Sequence, residues 1–222
     1  MKRKSRHAER RTDALSKERI VEAAIGILDA QGEAGLTLRA VAKQFSTGIG
    51  AIYWHIANKD ELLEAATDDV IARAMAAIAE ASAPGDTIRA IALGVFDAID
   101  AHPWVGTQFS RSPLLLALAK IVEGIGGSLH KLGIPEPAQY ECTSILVNYI
   151  LGTAGQNAAN AMLAPRLASR TEILSSAALR WTQLDPAEFP FVHRMAAVLP
   201  RHDDRQQFLA GIDLILAGIQ PS

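Results

Sequence analysis

The chain has 222 residues, 49% of them apolar, with 22 lysines and arginines against 24 aspartates and glutamates, a formal charge of −2 at neutral pH. This length holds one large domain or a small one joined to a larger, with apolar residues enough for a packed core. A single cysteine, Cys142, excludes an intrachain disulfide and a paired-cysteine metal knuckle; no apolar segment follows the basic N-terminus and no run of about eighteen apolar residues occurs, so neither a signal peptide nor a membrane span is expected, and the cytoplasm is the expected location.

The small net charge hides an asymmetry. Residues 1–60 carry eleven basic and seven acidic side chains, a charge of +4, whereas residues 61–222 carry eleven and seventeen, a charge of −6. Positive charge therefore gathers where a polyanion would bind. Residues 1–15 read as a basic flexible arm, serving either as a solubilising tail or as a contact to nucleic acid. Beyond it alanine, leucine and isoleucine dominate, apolar residues recur at three and four positions and β-branched alternation is scarce, so the fold class is all-α.

Ser16 is a good N-cap for a first helix that places Ile20, Val21, Ala24, Ile27 and Leu28 on one face and ends at Gln31-Gly32. Thr37 caps a second, short helix with Leu38, Val41, Ala42 and Phe45 inward. Ser46-Thr47-Gly48 breaks the pattern, with Gly48 as the expected tight-turn residue before a third helix over 49–56. Asn58 and Glu61 read as a capping box opening a fourth helix that runs to the Pro84-Gly85 hinge. Further helices are expected at 86–101, 113–131, 138–163, 169–180, 186–198 and 203–219, with breaks at His102-Pro103, Gly133 with Pro135, Pro165 and Pro200. The organisation expected is an arm over 1–15, a three-helix unit over 16–60 with a helix-turn-helix at 37–56, a connecting helix over 61–83, and a larger helical domain over 84–222.

On the third helix Ile52 and Ile56 fall on one side, while Gly50, Ala51, Tyr53 and Trp54 spread around the other. An aromatic face on so short a helix either packs back onto the first helix or meets an outside partner, and small residues beside it let a backbone approach base edges. The run TLRAVAKQFSTGIGAIYWHIANKDELL, Thr37 to Leu63, resembles the TetR-family helix-turn-helix, and Gly50 to Ile56 matches the second half of that pattern at every position. The resemblance implies operator DNA as partner, with Thr37 on phosphate, Arg39 on a guanine edge, Tyr53, His55 and Lys59 on the half-site backbone, and Ile49, Gly50, Ala51 and Trp54 at the groove. The departure lies in the turn, where the family usually has Gly-Val and this chain has Ser46-Thr47.

The larger domain carries fewer signals. Small residues, Gly152, Ala154, Gly155, Ala158, Ala159 and Ala161, crowd the helix 138–163 and favour close helix approach, while the last helix is apolar nearly all round. The resemblance implies that these two helices pair with their copies in a homodimer. Phe96, Trp104, Phe109, Asn148, Tyr149, Gln156 and Asn160 mix aromatic with neutral polar groups and are the candidate contacts of a largely hydrophobic small-molecule effector. His202-Asp203-Asp204 with His193 nearby invites a metal reading, which helix capping by the aspartates displaces. No nucleophile elbow, phosphate-cradling glycine loop or spaced His pair occurs, so no catalytic residue, cofactor or metal is assigned. A transcriptional regulator, usually a repressor in this family, is the reading; a helical enzyme or carrier with an accidental N-terminal motif is the alternative.

Overall fold

A computed structural model describes residues 15–78, 83–112, 115–163 and 169–219, and every described element is helical. The basic arm, residues 79–82 of the expected fourth helix, the start of the helix at 113 and Pro165 lie outside the described residues, the arm but for Leu15. Helix α1 spans Lys17–Gly35, with the Ser16 hydroxyl accepting from the Arg19 N–H. Its expected end at Gln31-Gly32 is a kink: Gly32 takes φ +67, a left-handed conformation open to glycine, and one further turn follows. Helix α2, Leu38–Gln44, and α3, Ile49–Tyr53, complete a three-helix unit around buried Ile20, Leu28, Val41, Ile52 and Ile56.

The turn between α2 and α3 differs from expectation. Gly48 is extended (φ −77, ψ 152) and serves as the N-cap of α3, a position where glycine costs only tenths of a kcal/mol; the left-handed residue is Ser46, at φ 51. Ser46 stands where the family usually has glycine, and its Cβ makes that conformation cost roughly 1–2 kcal/mol. Helix α3 ends at Tyr53, three residues early, because Trp54 caps it.

Helix α4, Lys59–Ala76, stops short of the expected hinge. Asn58 accepts from the Glu61 N–H at 2.8 Å, but the Glu61 carboxylate reaches back to the Ala57 N–H at 2.7 Å, one residue beyond a true capping box. Pro84 is not a hinge but the first turn of α5, Pro84–Ala101, where its missing N–H costs nothing. His102-Pro103 ends α5 and at once opens α6, Pro103–Arg111, an element the sequence does not announce.

Helices α7, Leu116–Lys131, and α8, Glu136–Leu163, pack with α5 and α6 around Ile91, Val95, Ile121, Ile125, Leu146 and Ile150. Helix α9, Arg170–Trp181, carries a full capping box from Ser169 and Glu172. Helix α10, Pro190–Ala196, is shorter than the expected 186–198 and is followed by a 3-10 turn, Leu199–Arg201. Helix α11, Asp204–Gly218, is capped by Asp203 and returns to the bundle through buried Phe208 and Ile212. A single apolar core runs from Ile20 to Ile212 through both units. No helix among the described residues is long and apolar enough to cross a membrane.

Candidate nucleic-acid interface

Thr37 caps α2 by accepting from the Ala40 N–H at 3.0 Å, which occupies its oxygen and leaves the hydroxyl proton to donate outward. Arg39 and Lys43 follow on the exposed side of the same helix, and neither makes an ion pair among the described residues. Helix α3 packs against α2 and is anchored by fully buried Ile52, with Ile49 and Ala51 half-buried. Its other side is open. Tyr53 is 54% exposed and Trp54 89%, so neither ring folds back onto α1. A Cβ added at the exposed Gly50 would meet nothing within 4 Å, so the packing of this chain does not require a glycine there. His55 is half-buried near Glu18, whose carboxyl is held below its usual range by its own backbone N–H first, then by the Ser16 hydroxyl, with His55 and Lys17 adding attraction.

Lys59 has an internal partner. Its ammonium donates to the Glu33 carbonyl at 2.8 Å, placing a cation at the C-terminal turn of α1, where the helix dipole favours one. The reading unit is thereby tied from its first to its fourth helix. Glu22 and Arg73 add a second tie between α1 and α4, and the Glu22 carboxylate holds the Arg73 proton more firmly than usual.

Helix α4 packs on α5 and α7 of the larger domain, and α6 adds a set of polar ties to the unit. The Trp104 ring is buried in the core, but its Nε1–H donates to Asp29 of α1 at 2.7 Å, and the His102 Nδ1 lies 2.8 Å from the same carboxylate oxygen. Arg111 pairs with Glu33 at 2.5 Å, and Ser112, just past the helix, donates to Glu64 of α4 at 2.6 Å. Asp29 carried no signal in the sequence beyond an acid on the polar face of a predicted helix. The crossing of α6 with α8 is close because two glycines meet there: a Cβ on Gly106 would lie 3.2 Å from the Gly155 Cα.

The candidate effector residues separate into two sets. Phe96 stacks on Phe208 with centroids 4.6 Å apart, Tyr149 stacks on the same ring at 5.6 Å, and the Tyr149 hydroxyl donates to the Phe208 carbonyl. Phe109 packs against the same core, beside Gln108, a buried amide whose Nε2 donates to the Thr107 hydroxyl at 3.3 Å. Asn148, Gln156 and Asn160 are not brought to this cluster. All three are exposed; Asn148 and Gln156 share the outward face of α8 with Glu141, Ile145, Gly152 and Ala159, because helical spacing turns that row away from buried Leu146, Ile150, Ala154 and Ala158. Near the α11 start, Asp203 accepts from the Gln206 N–H, and Asp204 pairs with Arg170 and His202.

Comparison with known proteins agrees with this geometry. The family model described as bacterial regulatory proteins, tetR family, matches residues 20–66, and the tetracyclin repressor-like C-terminal domain matches residues 85–222. The structure of SCO7222, a TetR transcriptional regulator from Streptomyces coelicolor, is 48% identical over 93% of this chain and 98% of that one, with a TM-score of 0.83. The S. coelicolor TetR family protein ActR, solved in complex with (S)-DNPA, shares the fold at 23% identity, over 93% of this chain and 97% of that one, with a TM-score of 0.71. The HTH-type transcriptional repressor DrrR1 of Streptomyces coeruleorubidus is 27% identical over 79% of this chain, which spans 60% of that protein's length. With both domain models matched over most of its length, and a structural relative at nearly half identity, the chain belongs to the TetR family of bacterial regulatory proteins.

Proposed function

We propose that this protein is a dimeric, operator-binding transcriptional regulator, a repressor released by a small-molecule effector. The observation that carries the DNA reading is the outer side of α3 and its cap, where Gly50 is open and Tyr53 and Trp54 stand exposed without a partner among the described residues. An apolar surface of that kind is costly unless something covers it, and a major groove accepts a helix whose backbone a glycine lets close. Thr37, Arg39, Tyr53, His55 and Lys59 supply donors to phosphates and base edges, with Ile49, Gly50, Ala51 and Trp54 against the groove. DrrR1, by its name a repressor, supports the sign of regulation.

The dimer reading rests on the outward faces of α8 and α11. Glu141, Ile145, Asn148, Gly152, Gln156 and Ala159 form one exposed row, and Ala210, Leu214 and Ala217 another on the neighbouring helix. These small residues allow two copies to pair closely as a four-helix bundle. The effector is read as a largely apolar molecule at the Phe96, Phe109 and Tyr149 side of the core, and the ligand complex of ActR supports ligand binding in this fold. Signal passes to the reading unit through α6 as well as α4.

The test is Arg39→Ala, measured by gel shift on the DNA upstream of the gene and on random DNA. Specific affinity is expected to fall by roughly 1–3 kcal/mol with little change on random DNA, because a base-edge contact is lost. Equal loss on both would move Arg39 to the phosphates.

A further inference from the structure

At the junction of the reading unit and the larger domain, α1, α4 and α5 enclose a cleft of about 490 Å³, a volume within the range of small-molecule sites. Its α1 wall is one stripe of the helix, Glu22, Ile25, Gly26 and Asp29, while Ala74 of α4 and Ala98 of α5 line the other walls. The stripe runs charge, apolar, charge. Glu22 and Asp29 are seven residues apart on one face, about 10 Å along the axis, with Ile25 buried and Gly26 exposed between them. A Cβ on Gly26 would meet nothing within 4 Å, so the wall between the carboxylates is open. The cleft stands apart from the effector side of the core, toward which α5 turns buried Val95 and Ile99.

The charge around the cleft is mainly negative. Arg73 is shared between Glu22 and Asp69, and Arg205 is held by both oxygens of Asp97. With Asp29, four carboxylates face two guanidiniums. Both carboxylates of the α1 stripe spend one oxygen on the fold: Glu22 Oε2 accepts from Arg73, and Asp29 Oδ1 accepts from Trp104 and lies beside His102. Their second oxygens, Glu22 Oε1 and Asp29 Oδ2, take no hydrogen bond among the described residues. Two open anionic acceptors at the ends of an apolar strip match a ligand with two cationic donors joined by methylenes. A single metal ion does not fit, since its oxygen ligands must all come within about 2.6 Å, and no acidic or histidine group among the described residues is placed to hold one. A monocation would leave one acceptor unused.

We propose that this cleft binds a linear aliphatic polyamine, its methylenes over Ile25 and Gly26 and its ammonium groups on Glu22 and Asp29, so that it ties the reading unit to the larger domain. The test is isothermal titration calorimetry of the full chain with spermidine, at constant ionic strength and without DNA, because DNA itself attracts polyamines. Saturable binding at one site per chain is expected, with n-hexylamine and Mg²⁺ weaker by roughly tenfold, as the loss of one charge-assisted bond implies. Glu22→Gln should weaken spermidine by a similar factor. Gly26→Leu, which touches no carboxylate and enters open space, should abolish binding with helical circular dichroism unchanged. Because Glu22 also ties α1 to α4, Gly26→Leu decides the question where Glu22→Gln loosens the fold. Binding that survives Gly26→Leu, or equal affinity for Mg²⁺ and spermidine, would reduce the effect to general attraction by an acidic surface and overturn the site. Absence of saturable binding overturns it as well.

Discussion

The reading unit and the larger domain use their aromatic side chains in opposite ways. In the first, Tyr53 and Trp54 stand in solvent beside a glycine with open space around it. In the second, Phe96, Trp104 and Tyr149 are satisfied from inside: two rings stack on Phe208, and the indole N–H of Trp104 reaches Asp29. The comparison teaches that an exposed aromatic with no neighbour has its cause outside the chain, whereas a buried one first reports how the fold is held.

The comparison is broken or sharpened most severely by truncating one ring from each region. Phe208→Ala removes a fully buried ring between Phe96 and Tyr149 and is expected to lower unfolding free energy by about 3–5 kcal/mol, read by urea denaturation. Trp54→Ala should stay within about 0.5 kcal/mol of the parent in the same experiment. Its operator affinity should instead fall about tenfold, the 1.4 kcal/mol of one lost contact. Similar unfolding costs for the two variants would erase the distinction.

A smaller effect tests the glycine. Gly50→Ala puts a methyl into open space and improves helix propensity, so α3 should gain up to about 1 kcal/mol in stability. Binding to the operator should weaken at the same time, because the added Cβ stands between backbone and groove. A variant that is more stable and binds unchanged would show that the open space is not used by DNA.

The smallest expected effect concerns acid. The Ala57 N–H first, and then Lys17, hold the Glu61 carboxyl below its ordinary value of 4.5. Its folded pKa is therefore lower than its unfolded one, and the stability it adds is present above the unfolded value and lost as pH falls through the folded one. Glu61→Gln should lose less stability than the parent between neutral pH and about pH 3, measured by urea unfolding at each pH. Parallel curves would remove Glu61 from the acid response.

The helices were legible where a local signal fixes them. Ser16, Thr37, Asn58 and Asp203 each cap the helix that follows, since a side-chain oxygen two or three residues before a free N–H is a local event. The turn was not: Gly48 looked like the left-handed residue, yet the backbone places that conformation at Ser46, and no local rule ranks a serine above a nearby glycine. Helix α6 was missed because His102-Pro103 signals a stop without showing that the chain restarts at the proline itself. In the DNA interface, the inward turn of Ile52 and Ile56 was readable from periodicity alone. In the larger domain Asn148, Gln156 and Asn160 were grouped with Tyr149 by proximity in sequence, and only the rotation of α8 against its neighbours separates them. The Lys59 bond to Glu33 joins residues 26 apart and has no sequence signature.

The meeting of Gly106 with Gly155 fixes the mechanics of α6. Backbone lies against backbone near the middle of a nine-residue helix, with the side chains of Ile99 and Ala158 close beside the contact, and sliding is resisted by close packing on both sides. What remains is rocking about that point. Trp104, whose indole is joined to Asp29, lies on one side of the fulcrum and Arg111, joined to Glu33, lies on the other. A tilt that lifts one end lowers the other, so α6 would act on α1 as a couple, turning the reading unit and not merely pushing it.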